Sequence, residues 1–111
     1  MIGGFILGGA TPNTDVVVRG LGPSLASFGL TDLLADPTLE LRSQDGTVLV
    51  ANDDWMDDTA SAAQLTLVGL APQHPDEAAI FTSLPPGQFT AIVAGKNGGT
   101  GIALVEIYNL R

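Results

Sequence analysis

Thr38-Leu-Glu-Leu-Arg42, then Asp45-Gly46, then Thr47-Val-Leu-Val-Ala51 is the stretch that decides the fold. In its first run Leu39 and Leu41 point one way and Thr38, Glu40 and Arg42 the other, the alternation of a strand with one buried and one wet face. Asp-Gly is hairpin chemistry, because glycine accepts positive φ without steric cost, so 38–42 and 47–51 are predicted to pair antiparallel. Working outward, similar short runs rich in Val, Ile, Leu and Thr recur at 2–7, 15–20, 77–84, 88–95 and 102–108. Phe89, Ala91 and Val93 share one face of their run. The runs are separated by Ala10-Thr-Pro-Asn-Thr14, Pro85-Pro-Gly87 and a glycine-rich turn at 96–101. Seven such strands predict one domain over residues 1–111: an all-β, antiparallel β-sandwich, jelly-roll-like, of about seven to eight strands. Residues 23–34 and 59–70 carry apolar residues at mixed i, i+3 and i+4 spacing and predict one or two short helical turns capping the sandwich.

Composition narrows the classes of function. With 111 residues and no Cys, the chain can hide about two-thirds of its unfolded surface in a core, but has no disulfide framework and no thiolate zinc site. Hydrophobic residues make up 45% and charged residues 14%, which argues against intrinsic disorder. Twelve acidic against four basic residues give a charge of -8, the wrong sign for a nucleic-acid binder. No run reaches the roughly 18 to 20 apolar residues of a membrane span. Residues 1–10 are apolar but lack a basic leader and are broken by glycines, so they read as a strand rather than a signal peptide.

Candidate chemistry concentrates in Asn52-Asp-Asp-Trp-Met-Asp-Asp58. Close carboxylates repel, and calcium, which takes six to eight oxygens, would neutralise them; Asn52, Asp53, Asp54, Asp57 and Asp58 are the candidate ligands. The stretch lacks EF-hand spacing. A solvated loop, with Asn52 or Asp53 bonding backbone and Asp58 or Thr59 capping the next helix, is the weightier alternative. Arg19, among few cations, is expected to pair with Asp36 or Glu106 and so fix strand register. Gly20-Leu-Gly22-Pro-Ser24 lacks the pattern of a phosphate loop or a serine elbow and reads as a sharp turn. His74, the only histidine, is expected on a surface loop. Trp55 is expected to fold back over the sandwich edge and anchor its loop.

In order along the chain, Gly4-Phe-Ile-Leu-Gly-Gly9, Val18-Arg-Gly-Leu-Gly-Pro-Ser-Leu25, Phe28-Gly29, Leu34-Ala-Asp-Pro-Thr-Leu-Glu-Leu41, Asn52-Asp-Asp-Trp55, Leu84-Pro-Pro-Gly87, Phe89-Thr-Ala-Ile-Val93 and Thr100-Gly-Ile-Ala-Leu-Val-Glu-Ile-Tyr108 together resemble a β-sandwich repeat. That repeat belongs to large secreted or cell-surface proteins of environmental bacteria of the Verrucomicrobia and Planctomycetes kind. The likeness spans nearly the whole chain and implies an extracellular or cell-surface location, with no catalytic residues to carry over. The hairpin at 39–54 with Pro86-Gly87 is more loosely similar to the bacterial pre-peptidase C-terminal domain. That likeness implies calcium ligands at Asn52, Asp53 and Asp54. The repeat has a further strand before the segment matching Gly3-Gly4-Phe5, which implies an open edge here that a strand of another copy fills. Residues 2–10 are the candidate inserting strand, with Ile2, Phe5, Ile6 and Leu7 making the contact.

Three functions are compatible with these features to different degrees. The favoured expectation is a non-enzymatic extracellular structural module that associates with itself, as a fibre subunit assembled by strand complementation. A mean hydropathy of +0.32 and few lysines suit a surface covered by neighbours. The alternative is a module binding surface polysaccharide through Trp55 and Asn97. An enzyme is disfavoured, since no nucleophile and base stand out; paired acids among Asp53, Asp54, Asp57 and Asp76 are the residual candidates.

Overall fold

The computed structural model of the chain describes residues 1–8 and 13–110. Among them, alternation and turn chemistry produce seven strands: β1 (Ile2–Leu7), β2 (Thr14–Leu21), β3 (Pro37–Ser43), β4 (Val48–Asn52), β5 (Ala78–Leu84), β6 (Gly87–Gly95) and β7 (Leu104–Leu110). The turn expected at 10–14 has its first three residues outside the described ones; Thr14 already belongs to β2. The Asp45-Gly46 hairpin forms as predicted, with Gly46 at φ 88° and Leu39 opposite Asn52. A register shift between Leu41 and Arg42 interrupts the ladder next to the turn.

The strands build two antiparallel sheets, in the orders β1-β6-β3-β4 and β5-β2-β7. Their inner faces meet in one core of Leu7, Val16, Val18, Leu39, Leu41, Ile80, Leu84, Phe89 and Val93, the all-β sandwich expected from the sequence. Val17, between Val16 and Val18, faces the other way and is equally buried, because the outer face of the three-stranded sheet is covered too. The cover is the helix α1 (Thr59–Leu67), which buries Leu65 against Val17 and Ala79, with Trp55, Phe81 and Tyr108 around them.

The expected helical turn at 23–34 is shorter than its apolar spacing suggested. A 3-10 turn covers Pro23–Phe28 and stops at Gly29, whose φ of 79° is left-handed. Beyond it, Leu34 N–H donates to the Ile102 carbonyl (2.8 Å) and Ile102 N–H to the Asp32 carbonyl (2.8 Å), so the segment is drawn alongside the approach to β7. The helix at 59–70 forms over Thr59–Leu67, opened by Asp58, whose Oδ1 accepts the Ser61 N–H at 3.1 Å.

Candidate functional site

Pairing of β3 with β4 and with β6 brings the residues just before β3, just after β4 and just after β6 to one end of the sandwich. These are Asp36, Asp53 with Asp54, and Lys96. One carboxylate oxygen from each of Asp36, Asp53 and Asp54 lies within 4.8 Å of the others. The Oδ1 atoms of all three are shut away from solvent and have no hydrogen-bond partner among the described residues. Lys96 Nζ stands 2.7 Å from Asp53 Oδ2, and Lys96 N–H donates to the Asp36 carbonyl at 2.9 Å.

Three carboxylates against one ammonium leave repulsion that shows in the titration of the group. Burial raises Asp36 above the ordinary value of 3.8, helped by a hydrogen bond with Asp53 and the charges of Asp53 and Asp54. Burial also raises Asp54, with Asp53 and Asp57 adding to it. Asp53, hydrogen-bonded to Lys96, raises the lysine above 10.5. Such a cluster can share a proton between Asp36 and Asp53, or offer three oxygens to a hard cation that completes its shell with water and backbone carbonyls.

Of the five residues read as ligands from sequence, the structure brings Asp53 and Asp54 together and adds Asp36 and Lys96, which the linear reading missed. The predicted hairpin contained the signal: residues preceding 38 must lie beside those following 51. Asn52 is engaged elsewhere, donating from Nδ2 to the Asp54 carbonyl (3.1 Å) and accepting the Ala79 N–H (3.1 Å). Asp58 caps α1, and Asp57 is exposed with its N–H on the Asp54 carbonyl (3.0 Å).

Glu77, at the same end, is by sequence only the first residue of a strand. It is fully buried, and its Oε2 accepts from Gly22 N–H (2.8 Å), Ser24 N–H (3.0 Å) and Ser24 Oγ (2.7 Å). Its carbonyl accepts the Trp55 N–H at 2.9 Å. The Gly-Leu-Gly-Pro-Ser turn is thus held onto a buried carboxylate, and Gly22 is required there because a Cβ would overlap the Leu34 carbonyl oxygen.

The two flanks of the sandwich differ. On the α1 side two outward N–H groups of β5 are taken: Ala79 by Asn52 Oδ1, and Phe81 by Ser61 Oγ at 3.0 Å. On the other side β1 is an edge with no partner strand beyond it among the described residues. Met1 and Val93 exchange both backbone bonds, at 2.8 Å each. Hydrogen-bonded pairs alternate along an antiparallel ladder, so the backbone groups of Ile2, Gly4 and Ile6 face the free edge. Of the four residues expected to make self-contacts, Ile2 and Ile6 are 69% and 73% exposed. Phe5 instead stacks on Phe89, ring centroids 5.5 Å apart, and Leu7 is in the core. Beside β1 an open hollow of about 580 Å³ is lined by Phe5, Ile6, Gln44 and Phe89.

Trp55 packs with the cluster under α1, as its expected anchoring role required. Asn97 is exposed on the Lys96–Gly98 turn at a left-handed φ of 55°. Arg19 pairs with Glu106, its cross-strand neighbour, rather than Asp36. His74 is partly exposed, its Nδ1 accepting the Asp76 N–H at 3.2 Å. No family model, curated protein or solved structure matches this chain.

Proposed function

We propose that this chain is a non-enzymatic structural module of the cell exterior that associates with itself through its open flank, as the subunit of a fibre. The observation that carries the reading is β1: an edge strand with no charge and no proline, none of the devices by which edges avoid pairing, and with Ile2 and Ile6 in water. The occupant that fits is a second copy. Two chains of charge -8 repel wherever acidic surfaces face, and β1 brings no charged side chain to the contact. Around Gly4 the strand is nearly symmetric, so an antiparallel copy sets Ile2 against the other Ile6 and pairs all three sets of free backbone groups.

A single two-fold contact closes at a dimer. Growth into a fibre needs a second contact on a separate face. Strand donation, in which residues 2–10 leave their own chain, would break the β1–β6 ladder, so edge pairing is the form of complementation favoured here. Calcium held across Asp36, Asp53 and Asp54 would stiffen the opposite loops; the three unpartnered oxygens favour this, and Lys96 competes with it.

The test is light scattering and negative-stain electron microscopy of the purified chain, with calcium and with chelator. Dimers lengthening into fibres as concentration rises support the reading, and fibres lost in chelator attach the ion to assembly. Monodisperse monomers at high concentration in both conditions overturn it.

A further inference from the structure

We propose that a separate pocket, on the outer face of the three-stranded sheet beyond the end of α1, binds a neutral sugar ring. The pocket has a volume of about 240 Å³ and lies between the Pro23–Phe28 turn and residues 69–73, with Arg19, Ser24, Ser27, Phe28, Gln73 and Glu106 on its walls. Its size is below the 300–1,000 Å³ or so usual for drug-sized ligands, which suits one ring rather than an extended chain.

The hydrogen-bonding inventory defines the ligand. Arg19 donates from Nε to Glu106 Oε1 (2.9 Å), from the Nη2 group to Glu106 and to Tyr108 Oη (3.2 Å), and from Nη1 to the Leu70 carbonyl (3.3 Å). A guanidinium has five N–H groups, so one Nη1 proton is left over. Glu106 meets these donors with Oε1 alone, and Tyr108 Oη bonds the same oxygen at 3.2 Å, leaving Oε2 free among the described residues. Ser27 Oγ donates to the Ser24 carbonyl (3.0 Å) and keeps its lone pairs. Gln73 extends an amide with no protein partner among the described residues.

Charge excludes the other classes. Glu106 neutralises Arg19 inside the pocket, so a phosphate or carboxylate ligand would face a carboxylate with no spare cation, on a chain already at -8. An aliphatic ligand would strand the free donor and acceptors. A pyranose offers both donors and acceptors around its rim and a C–H face for an aromatic ring. Phe28, 77% exposed and outside either core cluster, stands on the pocket wall where such a face would rest.

The test is a ¹⁵N NMR titration of the intact chain with the methyl glycosides of glucose, galactose, mannose and N-acetylglucosamine. The expected result is saturable shifts for at least one of them at the amides of Ser24, Ser27, Phe28, Gln73 and Glu106, with those of β1 unmoved. Phe28→Ala and Gln73→Ala replace exposed side chains with no hydrogen bonds and should leave the melting temperature unchanged; Phe28→Ala should weaken binding about fivefold to tenfold. No saturable shift with any of the four glycosides, or shifts that both variants leave intact, would overturn the proposal. Neither outcome depends on fibre formation, which the scattering experiment reads by itself.

Discussion

Glu77 shows what one buried side chain can hold. Three donors converge on one of its oxygens, so Glu77→Ala strands the buried Gly22 N–H and should cost about 1–3 kcal/mol, read as a lower midpoint in urea unfolding. Asp36 has the opposite sign. Its folded pKa lies above the ordinary value, so the folded state keeps a proton the unfolded chain has released, and its contribution to stability falls as pH rises from 3.8 through the raised value. Asp54 behaves alike. Asp45 runs the other way: Ser43 and Thr47 hold it at about 2, giving stability present above 3.8 and lost as pH falls through 2. Asp36→Asn should therefore raise the melting temperature at neutral pH, by no more than about 1 kcal/mol equivalent, and change little below pH 4. A loss of stability on the same substitution that disappears in chelator, because the parent chain then falls to the same level, would show the carboxylate holding a cation instead.

At the scale of elements, β2 and β3 were legible for different reasons. β3 alternates because only one of its faces is covered, whereas Val16, Val17 and Val18 run on because β2 is buried on both. Helix α1 was legible through the mixed i, i+3 and i+4 apolar spacing at 59–70, yet that spacing makes no clear stripe: Leu65 alone is buried while Leu67 is 79% exposed. A helix whose one buried side chain is Leu65 is sensitive to it. Leu65→Ala should cost about 2–5 kcal/mol and raise hydrogen exchange in α1 and β5 before the rest of the sandwich, which native-state exchange would resolve.

Across the whole molecule the asymmetry of the flanks governs behaviour. One side spends Asn52 and Ser61 on two outward N–H groups of β5, and the other leaves β1 bare. Ile6→Lys puts a charge on that edge without touching the core, so sedimentation velocity should show association lost at an unchanged melting temperature. Added salt should strengthen association of the parent chain by screening its negative charge. The sequence by itself determined the strands, the hairpin, the sandwich class and the anchoring of Trp55, because alternation and turn residues act over a few positions along the chain. Tertiary structure alone decided which carboxylates meet, that Glu77 is buried, and which strands lie at the edges of the sheets. Those depend on strand order and on what packs across a sheet, and residues 36, 53 and 96 become neighbours only when β3 lies between β4 and β6.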